Sequence, residues 1–238
     1  MRGLRSYWVR LLGVCALLFA QLSAPASAIV IDLSERQIDI LYSFDGADLI
    51  LFGTVGDTQL DPELAGFDVV IVVRGPELPA TVRQKDKVGG LIWVNDESVR
   101  FPAAPGYYAV AANRALADIA SSVTYAQAGI GFENLRLAVD ESVGVRARKD
   151  TFQSALYRIR EGAGLYRQER DSVTLIGEGL FRTDVRLPSN VPVGEFFVDA
   201  FLFQDGVLKA RDRISLTVDK AGFERAVFTF AHQYSFFY

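Results

Sequence analysis

The sequence has almost none of the residues that most enzyme sites require. It contains one cysteine, Cys15, near the start, and one histidine, His232, in an aromatic segment at the end. The region between them therefore offers no thiolate nucleophile, no His/Cys metal cluster and no Ser-His-Asp triad. Nucleophile-elbow, Ser-x-x-Lys and phosphate-loop motifs are missing as well. We expect no catalytic residues, no cofactor and no metal, and therefore a protein that is not an enzyme.

The N terminus (1–28) has the three-part layout of a secretory signal peptide. A leader with three arginines precedes an uncharged apolar run at 11–22, and small residues follow at 24–28. The apolar run is shorter than the roughly 20 residues that span a bilayer. Lipidation of Cys15 is an alternative interpretation. We expect cleavage and export, with the mature chain starting at Ile29.

Basic residues are outnumbered by acidic ones throughout the expected mature chain. Removing the three leader arginines leaves 22 basic residues against 29 acidic ones, a net charge of −7. Nucleic-acid-binding domains usually carry the opposite charge. We therefore expect no nucleic-acid partner.

The acidic residues allow two other functions, a hydrolase site and a calcium site. A periplasmic hydrolase that uses a carboxylate pair remains the alternative function, because sequence spacing cannot identify such a pair. A loop cluster could bind calcium through carboxylate oxygens, but it lacks EF-hand spacing and is more typical of solvated turns. Its members are Asp45, Asp48, Asp57, Asp61 and Glu63.

Short β-rich runs separated by glycine, proline and aspartate fill the region 29–112. This pattern predicts an antiparallel sandwich. Strands are expected at 36–44, 47–55, 67–75, 90–96, 98–101 and 107–112.

A second β region, 169–218, is predicted to form a four-strand meander. Asp205-Gly206 between its last two runs is a strong hairpin signal. The sequence leaves open whether this region completes the first sandwich or forms its own. The expected strands are 172–177, 180–188, 195–203 and 207–218.

The segment between the β regions, 113–168, is predicted to be a helical insertion. Apolar residues recur at helical spacing over 150–168, where Asp150 and Gln153 form a capping-box pattern. The segment 113–130 has helical composition, so the two form an expected helical hairpin. The fold class is therefore mainly β, with immunoglobulin-like antiparallel sandwich units, this insertion and a C-terminal membrane-proximal helix.

Two strand–corner–strand segments resemble each other. Both 98–110 and 184–198 run Val-Arg-apolar-Pro, then a loop with proline and glycine, then aromatic residues and a valine. Proline ends ladder pairing and glycine permits the turn. The similarity indicates either a duplicated sandwich unit or a coincidence between two β-corners.

The terminal segment, 219–238, is predicted to be a membrane-proximal helix that begins a transmembrane segment. No formally charged residue follows Arg225 if His232 is neutral, and the apolar residues fall at helical spacing. Clustered aromatics are typical of a membrane interface. The expected membrane-interface residues are Phe223, Val227, Phe230, Tyr234, Phe236, Phe237 and Tyr238.

One segment of this acidic chain is basic. It could contact lipid headgroups, an acidic partner or a small anion, although a solvated helix face is the simpler interpretation. The residues of this possible partner or anion surface are Arg146, Arg148, Lys149, Arg158 and Arg160.

Together, the leader, "VRLPSNVPVGEFFVDAFLFQDG" (185–206) and "FERAVFTFAHQYSFFY" (223–238) resemble the alphaproteobacterial putative transmembrane protein family. The resemblance implies a periplasmic β domain, one C-terminal membrane helix and no established activity. Some members are reported beside sulfite-exporter-like permeases. The chain departs from the family pattern by stopping at Tyr238 before a full span, and we expect that it is cut at the membrane.

The resemblance implies a membrane-anchored interaction module in the inner membrane, with the bulk of the chain in the periplasm. The expected partners are the inner membrane and, as one hypothesis, an integral membrane permease to which the module is accessory.

Overall fold

The computed structural model describes six ranges of the chain, and within them the fold is mainly β, as the sequence predicted. The ranges are 29–40, 44–56, 66–88, 92–139, 149–177 and 179–220.

The smaller of the two main sheets has four antiparallel strands. β3 (Gly46–Val55) pairs with β1 (Ile29–Leu33) on one side and with β10 (Leu180–Pro188) on the other, and β9 (Val173–Ile176) lies beyond β10. Buried and exposed residues alternate along β10. This period of two gives the sheet one core face and one outer face.

The larger sheet has six strands. Its order is β2 (Gln37–Ile40), β12 (Val207–Lys220), β11 (Gly194–Gln204), β4 (Asp68–Arg74), β7 (Tyr108–Ala112) and β8 (Tyr166–Glu169). The β2–β12 and β7–β8 pairs are parallel, and the other pairs are antiparallel. β4 is buried from Asp68 to Val73, as expected for a central strand covered on both faces.

The two sheets share one hydrophobic core. Ile31 and Leu51 of the four-stranded sheet belong to the same buried cluster as Ile71 and Phe196 of the six-stranded sheet. β10 pairs with β3 and β11 pairs with β4. Strands of the second β region therefore complete sheets that the first region begins.

The predicted four-strand meander at 169–218 is wrong. β9 and β10 form a hairpin in the four-stranded sheet, whereas β11 and β12 form a hairpin in the six-stranded sheet. The chain crosses between the sheets after Pro188, whose carbonyl accepts a turn hydrogen bond from Val191 N–H (3.0 Å). Pro188 and Pro192 lack the N–H groups that continued ladder pairing would need.

A long hairpin forms a separate two-stranded sheet from β5 (Glu77–Val88) and β6 (Ile92–Pro105). The sequence predicted two short strands where β6 runs continuously. β5 was missed because its charged residues obscure the alternation, and β1 was missed as well. β8 was missed because it lies inside the expected helix 150–168.

The helical insertion contains shorter elements than predicted. The expected helix at 113–130 is divided into α1 (Leu116–Ile119) and α2 (Ser122–Ala128), because extended Ala120 ends the first and Ser121 caps the second. A 3-10 helix, Phe132–Asn134, follows.

The main helix of the insertion, α3 (Lys149–Gly162), ends earlier than predicted. Leu165 N–H bonds to the Arg160 carbonyl (2.9 Å), and Gly164 has a φ of 72°. A left-handed glycine of this kind ends helices.

α3 packs on the base of the β5–β6 hairpin and closes a second, smaller core. The buried residues of this second cluster are Ala80, Val82, Val99, Phe101, Ala104, Leu137, Phe152 and Leu156. Partly buried Leu135 and Tyr157 contact both cores.

The two similar corner segments occupy different structural positions. Pro188 ends β10 opposite Gly46, whereas Pro102 lies inside β6, beside an irregularity in its pairing with β5. The strands that follow the corners, β11 and β7, flank β4 on opposite sides.

Several predictions about the ends of the chain lie outside the described residues. These concern the signal peptide at 1–28, the membrane-interface residues, and the terminal helix apart from 219 and 220, which close β12. Across the ranges that the structure describes, no helix combines the length and apolar character needed to cross a membrane.

Gly53 provides a test of how tightly the four-stranded sheet packs. A Cβ at this position would overlap the Phe181 ring and the Val30 carbonyl oxygen, whereas a Cβ at Gly56 meets nothing within 4 Å. We expect Gly53→Ala to lower the free energy of unfolding by about 1–3 kcal/mol through overpacking. Gly56→Ala, the matched control, should change it by less than about 0.5 kcal/mol. Equal urea midpoints for the two variants would contradict this packing.

Candidate interaction surface

Three arginines converge on one aspartate on the outer face of the six-stranded sheet. Asp199 lies on β11, directly opposite Arg213 of β12. Arg211 lies two residues earlier on β12, and Arg74 on β4 pairs with Phe197. Phe196 and Val198 point into the core, so the alternating residues of β11 lie on the opposite face.

The Asp199 carboxylate accepts five hydrogen bonds from these guanidinium groups. Arg211 donates from Nε (3.0 Å) and Nη2 (2.7 Å) to Oδ1. Arg213 donates from Nε to Oδ1 (2.6 Å) and from Nη2 to Oδ2 (3.0 Å), and Arg74 Nη1 donates to Oδ2 (2.9 Å). The Asp199 side chain has 0% exposure, so these bonds replace its hydration.

The cluster has an excess of positive charge. Three guanidinium groups face one carboxylate, which leaves two positive charges uncompensated. The pKa of Arg213 is raised above its ordinary value, chiefly by its hydrogen bond to Asp199. The positive potential of this site therefore contrasts with the acidic composition of the whole chain.

Aromatic rings support each guanidinium group. Arg213 lies 5.4 Å from the Phe197 ring centroid, Arg211 lies 5.1 Å from that of Phe201, and Arg74 lies 5.9 Å from that of Tyr108. Cation–π contacts at these distances add to the ion pairs. Arg74 Nη2 also donates to the Gly129 carbonyl (2.7 Å), after the end of α2. The side chains are therefore held in fixed orientations.

Parts of this cluster face solvent. The side chains of Arg211 and Arg213 are 40% and 47% exposed, and Phe197 beside them is 37% exposed. Within the described ranges, the Nη1 groups of Arg211 and Arg213 donate to no protein atom. We call Arg74, Phe197, Asp199, Arg211 and Arg213 the arginine surface.

The described members of the basic surface predicted from the sequence lie on the helical insertion. Lys149, Arg158 and Arg160 are on α3, which packs against the β5–β6 hairpin and β8. Arg146 and Arg148 lie outside the described residues. None of these three α3 residues belongs to the arginine surface.

The arginine surface was missed by the sequence analysis, although one signal was available. Asp199 interrupts the apolar run from Phe196 to Phe203, and a charged residue in a buried strand requires a partner. Arg211 and Arg213 are two residues apart on the neighbouring strand of the predicted hairpin. Only the register identifies them as its partners.

Two other acids of the described ranges are paired with arginines. Buried Asp68 is bound by Arg114 Nε (2.6 Å) and Nη2 (2.5 Å) and by Asn113 Nδ2 (3.0 Å). Exposed Asp48 accepts a hydrogen bond from Arg186. Among the residues described, no group of three His, Cys, Asp or Glu side chains could hold a metal ion.

An aromatic cluster lies between α3 and the β7–β8 edge of the six-stranded sheet. Phe132, Tyr157 and Tyr166 have ring centroids 5.7–6.0 Å apart. Burial raises the pKa of Tyr157 to about 12. Its phenol therefore stays protonated at neutral pH, and Tyr166 uses its hydroxyl to donate to the Pro105 carbonyl (2.7 Å). This cluster is suited to packing rather than to proton transfer.

An open apolar groove of about 400 Å³ crosses the four-stranded sheet. Val30, Phe52, Ile176 and Leu180 expose apolar side chains along it. The groove presents few polar groups that could orient a ligand, in contrast to the arginine surface.

Across the described ranges, the chain is a mainly β protein in which two sheets share a core and one of them carries the partly exposed arginine surface. The chain belongs to the family described as "Putative transmembrane protein", whose model matches residues 28–238. This match confirms the family resemblance seen in the sequence. No curated protein and no solved structure matches the chain.

Proposed function

We propose that this protein is a membrane-anchored periplasmic interaction module. The observation that supports it most directly is the arginine surface, where arginines and an aromatic ring are exposed on a rigid sheet. Arginine and aromatic residues are enriched at the energetic centres of protein interfaces. The surface has the chemistry of a binding site and lacks a nucleophile or general base.

We also propose an immunoglobulin-like architecture, on the basis of strand order. β1, β3, β10 and β9 correspond to strands A, B, E and D of that fold, and β12, β11 and β4 correspond to G, F and C. β7 takes the position of the additional C′ strand of variable-type domains. The parallel β2–β12 pair places a short first-region strand beside strand G.

The proposed anchoring follows from the family and the two chain ends. The signal-like leader favours export, and the uncharged aromatic terminus favours a membrane-proximal helix in the inner membrane. Arg213 precedes Lys220, the end of β12, by seven residues, or about 23 Å of extended strand. An integral membrane partner, such as a permease with a periplasmic portion, could reach the arginine surface across this distance.

The hydrolase alternative receives no support from the described residues. Asp68 and Asp199, the buried carboxylates in these ranges, are each bound by arginine. Both are therefore arranged as ion-paired structural groups rather than as a facing pair.

Affinity purification from membranes tests the proposed function. We expect the tagged full chain to recover an integral membrane protein in stoichiometric amount, and Arg211→Gln with Arg213→Gln to lose it. Arg182→Gln with Arg186→Gln is the matched control, because it removes two arginines from exposed ion pairs on the four-stranded sheet. Equal recovery by all three forms, or recovery of no membrane protein, would contradict the proposal.

A further inference from the structure

We propose that the arginine surface recognises an acidic segment of a partner protein in which a carboxylate lies beside an apolar side chain. The carboxylate would bind Arg211 and Arg213, and the apolar side chain would pack on Phe197. This inference rests on the proposed function and specifies the chemistry of the partner.

Charge complementarity indicates an anionic ligand. The single charge of Asp199 balances only one of the three guanidinium charges. Its hydrogen bond with Arg213 is also the main cause of the raised pKa of Arg213. Of the three arginines in this cluster, Arg211 and Arg213 are the more exposed pair, and both lie on the same face of β12. A ligand that brings one or two carboxylates to this point would compensate the remaining charge.

Geometry favours an oxyanion that accepts two hydrogen bonds. Arg211 and Arg213 use Nε and Nη2 to hold Asp199, and within the described ranges their Nη1 groups make no hydrogen bond to protein. A ligand carboxylate could therefore accept one charge-assisted hydrogen bond from each Nη1 group. Asp199 and the aromatic rings fix both guanidinium groups before binding, which lowers the entropy that a ligand must overcome.

The exposed aromatic ring favours a peptide over a free ion. Phe197 is partly exposed and lies 5.4 Å from the Arg213 guanidinium carbon. An inorganic ion gains little from this ring, whereas an apolar side chain beside the carboxylate would bury it. The exposed part of the arginine surface also lies on a sheet face rather than in an enclosed pocket, which suits a peptide segment more than a small ion.

Peptide titration tests the inference directly. The purified full chain is titrated with a fluorescent peptide that has a Glu-Phe-Glu centre between Gly-Ser flanks. We expect saturable binding that weakens with salt, since the charges are exposed. Peptides with Gln-Phe-Gln or Glu-Ala-Glu centres should each have an affinity at least about tenfold lower. Absence of binding by the Glu-Phe-Glu peptide overturns the inference.

Matched variants locate the binding. Arg213→Gln should weaken binding about tenfold or more, and the fold should survive because Arg74 and Arg211 still hold Asp199. Arg213→Lys should also weaken it, since an ammonium cannot keep both hydrogen bonds to Asp199 and hold a further donor where Nη1 lies. Phe197→Ala should weaken binding, whereas Arg182→Gln and Phe52→Ala on the other sheet should leave it within roughly twofold. Equal effects at the control positions would overturn the assignment.

Two further measurements distinguish other ligands. Inorganic phosphate that displaces the peptide fully, together with no effect of Phe197→Ala, would assign the surface to a free anion. Phosphatidylglycerol vesicles that bind the wild type better than Arg211→Gln with Arg213→Gln, without peptide binding, would assign it to lipid. Either result overturns the acidic-segment inference. Co-purification of a membrane partner could still hold in both cases, so the two proposals fail separately.

Discussion

Replacing Asp199 by asparagine is expected to lower the free energy of unfolding by about 3–5 kcal/mol. The substitution keeps the size of the side chain but removes the carboxylate that pairs with three guanidinium groups. Arg74, Arg211 and Arg213 would then repel one another across β11. Removing one partner of an ion cluster that contains a buried group is strongly destabilising, because the like charges that remain are held close together without their counter-ion.

Urea unfolding of the purified full chain measures this effect. Asp184→Asn is the control, since Asp184 forms an exposed ion pair with Arg182 on the four-stranded sheet. Exposed pairs contribute less than about 1 kcal/mol, so its midpoint should barely move. Adding Arg213→Gln to Asp199→Asn should recover part of the lost stability by removing one repelling charge. A double variant less stable than Asp199→Asn would show that repulsion is not the cause.

Local alternation made the individual strands of the second β region predictable. β10 has the same bounds as its expected strand, and β11 and β12 differ from theirs by one or two residues. Alternation depends only on neighbouring residues and on the need to bury one face. The bounds of a strand can therefore be predicted without knowing which strands it pairs with.

Sheet membership could not be predicted in the same way, because it depends on residues far apart in the chain. β10 pairs with β3, more than a hundred residues earlier, and nothing in either strand specifies this choice. The arginine surface depends on the same long-range register. Arg74 and Asp199 are 125 residues apart and meet only because β4 pairs with β11.

β5 was not predicted because its outer half is rich in charged residues. The strand contains Arg83 and Gln84 between buried Val82 and the more distal charged residues, so its apolar face ends early. Its inner half is a strand because Ala80 and Val82 pack beneath α3. The helix that stabilises this half lies some seventy residues later, so the local sequence pattern of β5 does not indicate it.

Replacing Phe152 by alanine is expected to destabilise the contact between α3 and the β5–β6 hairpin by about 3–5 kcal/mol. Phe152 is buried in the second cluster together with Phe101 and Leu156. Eight buried residues of the described part of the chain form this cluster, so few of them can move to fill the cavity. Ile159→Ala is the matched control on the same helix, because Ile159 is 60% exposed and its loss should cost little.

Hydrogen exchange distinguishes a local from a global effect of Phe152→Ala. Among the described residues, Leu135 and Tyr157 are the side chains that pack against both the second cluster and the main core. We therefore expect faster amide exchange in β5, β6 and α3, with β3 and β10 retaining their protection. Regions with few contacts to the main core open below the global unfolding free energy. Equal acceleration in β3 and β10 would mean that the two cores unfold as one unit, and that the hairpin is an integral part of the sandwich.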